Sequence, residues 1–233
     1  MKYLFIILPF LLVPDVYGHQ AVCEVWHEVN GKIFPKPASG VFIADDGEAL
    51  IATCRHPIIN GGESVIVAVR FEDGVDRRVT NYYYDSIGWD IAIVSVASLP
   101  SSIVPIPIAE DIPKVGDSVV MHAFAPRQPK HGKVVGYARQ IRSEAVQYMP
   151  PEPAQELQMD FASGSGDSGS PILNSDGEIV AILSSSDRQT FTIGPYNKPL
   201  MEFVNRVFER RAPEVPMREP DLIPDKPNFG ILD

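Results

Sequence analysis

Short apolar and β-branched runs, each closed by a turn signal, dominate the chain from Ala21 to Ile193, and this rhythm is what most restricts the fold. Runs of this kind suit strands, and glycine, proline, asparagine and aspartate between them suit tight turns. Asn30-Gly31, Asp45-Asp46-Gly47, Glu72-Asp73-Gly74 and Asp176-Gly177 are such turns. The pattern predicts strands over 21–29, 40–44, 49–53, 64–71, 75–84 and 91–96. A proline- and serine-rich connection at 99–113 follows. Beyond it, strands are expected over 118–124, 132–141, 156–161, 171–174, 178–184 and 191–193. Many short strands at this spacing point to paired β barrels or a sandwich. Only after Lys198 does the period change: Leu200, Phe203, Val204, Val207 and Phe208 recur at helical spacing, so one C-terminal helix is expected.

The ends of the chain read differently. Lys2, an apolar run from Tyr3 to Val13 and small residues near Gly18 form a secretory signal pattern, with 1–18 as the leader. That run is shorter than the roughly 20 residues a membrane-spanning helix needs. Cleavage and export to the periplasm or the outside are therefore expected, with no integral membrane span left afterwards. Residues 212–233 are rich in proline and acidic charge and read as an irregular tail. Between the ends, 19–98 makes a first β unit, 99–113 the connection, and 114–211 a second β unit with the helix. The 233 residues carry a formal net charge of −10, which argues against a nucleic-acid partner. In an exported chain two cysteines most simply pair, so Cys23 and Cys54 are a candidate disulfide. His19, His27, His122 and His131 show no metal-ligand spacing, and neither metal nor cofactor is expected.

The chemistry concentrates in Gly166-Asp167-Ser168-Gly169-Ser170-Pro171. A serine hydroxyl is a poor nucleophile unless a base takes its proton and amides receive the charge on the attacked oxygen. Glycines on both sides let the turn aim successive N–H groups into one concavity. Gly166-Asp167-Ser168 is thus the candidate oxyanion hole, with the N–H groups of Gly166 and Ser168 as donors. His56 follows the strand at 49–53 and Asp90 precedes the strand at 91–96. Histidine as base and acid, aspartate as its orienter and Ser168 as nucleophile form a triad drawn from both halves. Asp85 is a weaker competitor for the aspartate. An esterase would more typically place its serine between a strand and a helix, whereas a strand follows here.

The chain resembles the trypsin-like (chymotrypsin-fold) serine proteases, and its pattern is nearest the HtrA/Deg type. Residues 39–43, Thr53-Cys54-Arg55-His56, Asp90-Ile91-Ala92-Ile93-Val94, Val115-Gly116-Asp117, and Asp160 with Gly166 to Pro171 carry the resemblance in order. It implies an all-β fold of two six-stranded antiparallel β barrels with one C-terminal helix, and the active site in the cleft between them. It further implies serine endopeptidase activity on polypeptide substrates through an acyl-enzyme. By position, Ala162 and Ser163 would lie at the specificity pocket, and Ser184, Ser185 and Ser186 would form its wall and pair with the substrate backbone. No acid falls at the pocket base, so small or medium apolar side chains are expected there. A catalytically silent binding module on the same fold is the alternative. Three departures stand out. Ser170 replaces a usual glycine, no PDZ domain follows the helix within this sequence, and no activation site of the trypsin type is present. Asp167, which digestive relatives pair with a freed amino terminus, therefore needs another partner or solvent. The oligomeric state is not legible.

Overall fold

The computed structural model describes residues 20–45, 47–56, 64–84, 89–97, 99–124, 128–139, 155–186 and 192–210. The expected leader at 1–18, the tail at 212–233, and His19, Asp46, Asp85 and Phe191 lie outside the described residues.

Six strands close the first barrel. In chain order this half begins with β1 (Val22–Val29), followed by the short β2 (Lys32–Ile33), which lies outside the ring, then β3 (Ala38–Asp45) and β4 (Ala49–Thr53). The half ends with β5 (Ser64–Arg70), β6 (Asp76–Tyr84) and β7 (Ala92–Val96). The order is β2-β1-β3-β4-β7-β6-β5, and a β1–β5 ladder joins the ends, with β2 as an appendage on β1. All pairings are antiparallel, as hairpin-length turns such as Gly47 and Gly74, both at positive φ, require. Every residue of β4 and β7 is buried, so these two strands form the floor on which the site is built.

The second sheet is a half-barrel. It comprises β8 (Ser118–Met121), β9 (Lys130–Arg139), β10 (Gln155–Met159), β11 (Pro171–Leu173), β12 (Ile179–Ile182), β13 (Ser185–Ser186) and β14 (Thr192–Gly194). Its order is β12-β11-β8-β9-β10-β14-β13. Where a full ladder would close it, a single bridge, Ala181 to Tyr196, and the bond from Ile182 N–H to Pro195 O join β12 to the chain beyond β14. The fold is thus the chymotrypsin-like two-barrel architecture.

The connection at 99–113 is stitched to both halves. Ile106 N–H donates to Phe42 O in the first barrel, and Ile108 bridges Ile179 in the second. The helix α1 (Asn197–Arg210) begins where Asn197 Nδ2 donates to Ala109 O and Asp111 O, at 2.6 and 2.8 Å. Leu200, Phe203, Val204 and Val207 are buried and join the core that contains the first barrel. Phe208, expected on the same face, is 38% exposed: it lies in the last turn, past the surface the helix covers. No helix among the described residues is long and apolar enough to cross a membrane.

Cys23 and Cys54 are buried and free, so the expected bridge is not formed here. The register explains why. Cys23 pairs with Gly40, and Gly40 pairs with Thr53, so β3 lies between the two cysteines. Two strand spacings come to roughly 10 Å, whereas a disulfide needs Cα atoms within about 7 Å.

Candidate active site

Sheet register brings the base and the acid together. Thr53 of β4 pairs with Ala92 of β7 in an antiparallel ladder. Continuing that register two residues past each strand end sets Arg55 against Asp90 and His56 beside it. Asp90 Oδ1 accepts the backbone N–H groups of Arg55 and His56, at 2.8 and 2.7 Å. Its other oxygen, Oδ2, lies 2.7 Å from His56 Nδ1 and accepts the Ser184 hydroxyl at 2.5 Å. Backbone bonds fix the carboxylate on one side, and side chains occupy it on the other. The imidazole is thereby turned with Nδ1 toward Asp90, leaving Nε2 as the nitrogen able to take a proton.

Electrostatics follow from this packing. Burial pushes the Asp90 carboxyl up, but the His56 charge and the hydrogen bonds from His56 and Ser184 outweigh it and hold the group below its ordinary value. Burial pushes His56 down, while Cys54 and Asp90 pull it up, leaving it well above its ordinary value. Burial also raises the Cys54 thiol. Near neutral pH the anion that acts on His56 is therefore Asp90.

The serine arrives from the other half. Gly166 and Gly169 have φ of +96° and +85°, conformations that side chains rarely adopt. At Gly169 space also demands glycine: a Cβ there would stand 2.0 Å from Ser39 O and 2.4 Å from Thr53 Oγ1. The turn is therefore pressed onto the strand end that carries His56. Ser39 clamps it from the first barrel. Its N–H donates to Ser168 O at 2.7 Å, and its hydroxyl donates to Gly166 O at 2.9 Å. On the far side Gly169 N–H donates to Leu183 O, and Leu183 N–H to Ser170 O. Among the described residues, the N–H groups of Gly166 and Ser168 donate to no protein acceptor, so both are available to an incoming oxygen. The Asp167 N–H is instead spent within the turn, on Gly164 O at 3.2 Å. Ser168 is half-buried, and no hydrogen bond joins its hydroxyl to His56.

Asp167 has found a partner. Its side chain is almost wholly buried, and Oδ2 accepts Lys130 Nζ and Gly164 N–H, each at 2.7 Å. Ala162 is half-buried and Ser163 buried at the expected pocket. Ser163 N–H reaches Ser186 Oγ at 3.3 Å, so the two segments expected to border the pocket meet. Ser185 and Ser186 form the short edge strand β13. Ser184, just ahead of that strand, donates its hydroxyl to Asp90. A separate cavity of about 270 Å³ opens on the other flank of the turn, lined among others by Pro35, Pro37, Phe124, Ser165 and Gly166.

Three contacts were not legible in advance: Ser39 on the turn, Ser184 on Asp90 and Lys130 on Asp167. Each joins residues far apart in sequence.

The family of trypsin-like peptidase domains matches residues 38–182. No curated protein matches the chain in sequence. Among solved structures, the HtrA-type protease AlgW with a tripeptide superposes with a TM-score of 0.65 at 15% identity, over 85% of this chain. The chain spans 64% of that protease's length. Rv3671c from M. tuberculosis H37Rv, as a Ser-to-Ala mutant in an inactive form, gives a TM-score of 0.61 at 16% identity, over 82% of this chain and 89% of that one. At these identities the likeness speaks for the fold.

Proposed function

Because the chain belongs to the trypsin-like peptidase domain family, we propose that it is a serine endopeptidase that hydrolyses polypeptides through an acyl-enzyme. The observation that carries this reading is the His56–Asp90–Ser184 network at the end of β4, with the Gly169 turn packed against that same end. His56 Nε2 takes the proton from Ser168 Oγ as the oxygen attacks the scissile carbonyl carbon. The carbonyl oxygen becomes an oxyanion and is received by the Gly166 and Ser168 N–H groups. Asp90 holds the tautomer and stabilises the imidazolium. The C–N bond breaks as His56 returns its proton to the leaving amine. Water, activated by the same nitrogen, then releases the acyl group and restores Ser168.

The edge strand β13 supplies backbone groups for an extended substrate, and with no acidic residue at the expected pocket base, small or medium apolar side chains are the expected fit. Export follows from the leader pattern at 1–18.

One observation favours a silent binding module on the same fold: Ser168 and His56 share no hydrogen bond in the unliganded site. Such bonds commonly tighten only when substrate binds. A fluorophosphonate probe separates the readings. The mature protein should gain one adduct on Ser168, and Ser168→Ala should lose both the adduct and peptide cleavage. A folded protein that takes no adduct is the silent module.

A further inference from the structure

Asp167 poses an electrostatic problem for the site proposed above. It stands between the two residues whose N–H groups would receive the oxyanion, and it is 1% exposed. A buried carboxylate beside a developing negative charge opposes that charge unless a cation offsets it, because little water is present to screen it. Among the described residues one ammonium reaches it: Lys130 Nζ, 2.7 Å from Oδ2. The other carboxylate oxygen, Oδ1, is buried and accepts no hydrogen bond.

The Lys130 side chain is partly exposed, but its backbone is anchored. It opens β9, paired with Met121 of β8, so the sheet fixes its Cα. The same Asp167 oxygen accepts Gly164 N–H, while Asp167 N–H donates to Gly164 O and Asp167 O accepts Ser170 N–H. The side-chain pair and the backbone bonds together define the path of the turn from 164 to 170.

We infer that Lys130 is a positioning residue for peptide hydrolysis: through Asp167 it sets the oxyanion-receiving turn and cancels the buried negative charge that Asp167 places beside it. This rests on the hydrolase reading. The cation belongs to a strand of the same chain, so the turn is set on folding, with no cleavage needed to supply a partner.

The test compares Lys130→Met, Lys130→Arg and the double variant Lys130→Met/Asp167→Asn with wild type. Each is assayed on a peptide that wild type cleaves, with thermal melting alongside. Lys130→Met should lower kcat about 100-fold, the scale of losing one oxyanion donor, with KM within about threefold. Lys130→Arg should keep most activity. The double variant, which removes both charges, should return to within about tenfold of wild type. A merely structural role would lower Tm in Lys130→Met and leave the kcat of folded protein unchanged, and that result overturns the inference. So does a double variant no better than Lys130→Met. Should Lys130→Met fail to fold, the double variant decides: activity near wild type sustains the inference, and a double variant that is inactive or unfolded overturns it. A wild type that neither cleaves peptides nor reacts with fluorophosphonate removes the hydrolase reading and this inference together. A reactive wild type with an equally fast Lys130→Met removes only the inference.

Discussion

The two halves of the site are held in different ways. On the first-barrel side, His56 stands three residues beyond β4 and Asp90 two before β7, and sheet register delivers them to each other. On the second-barrel side, Ser168 sits in a turn with no ladder of its own, held by Ser39, by Leu183 and by an ion pair through its neighbour Asp167. A closed barrel fixes its catalytic groups as a by-product of pairing. A loop needs dedicated contacts for each backbone atom it presents. The base half should therefore fail through chemistry when altered, and the nucleophile half through geometry.

Asp90→Asn is the strongest way to sharpen that contrast. The amide can keep the backbone bonds but favours the wrong imidazole tautomer, so kcat/KM should fall about 10,000-fold with little change in melting. A loss of only tenfold would break the comparison. Gly169→Ala probes the other half. With a positive φ and Ser39 O only 2.0 Å from the new methyl, stability should fall by about 3 kcal/mol, read by urea unfolding, and activity should fall with it.

Ser184→Ala removes one hydrogen bond from Asp90 and leaves the others. The expected loss is about tenfold in kcat. The acidic limb of the rate profile should also move to higher pH, because a less solvated Asp90 carboxylate raises His56 further.

The pH dependence itself separates function from stability. Folding raises His56, so activity should climb as pH rises through its folded value and the base is freed. The stability from the His56–Asp90 pair runs the other way. It is fully present below the unfolded histidine value and fades through the same window.

A smaller effect lies in the second sheet. Burial raises Glu156 to about 8, and neither of its carboxyl oxygens has a hydrogen-bond partner among the described residues. Between its ordinary value and about 8, the unfolded chain gives up this proton before the folded one does, so stability falls as pH rises. Glu156→Gln should therefore melt a few degrees above wild type at pH 8 and level with it near pH 4. An equal difference at both pH values would assign the effect to packing.

Much of this was legible in the sequence because it is local. The strand rhythm, the Gly166 to Pro171 turn, and His56 and Asp90 at strand ends all depend on residues adjacent in the chain. What escaped depends on distance. Gly166 and Ser39 are 127 residues apart, Asp90 and Ser184 are 94 apart, and Asp167 and Lys130 are 37 apart. Nothing in Ser184-Ser185-Ser186 says which hydroxyl will face a carboxylate. The disulfide expectation failed for the same reason: two cysteines in an exported chain suggest a bond, but only the register shows a strand between them.

Ser39 carries one last consequence. A single residue of the amino-terminal half grips the carboxy-terminal half at Ser168 and at Gly166, once through its backbone N–H and once through its hydroxyl. Any wedge driven between the halves, even far from the cleft, would slacken that grip. A ligand of that kind would act as a brake without competing with substrate.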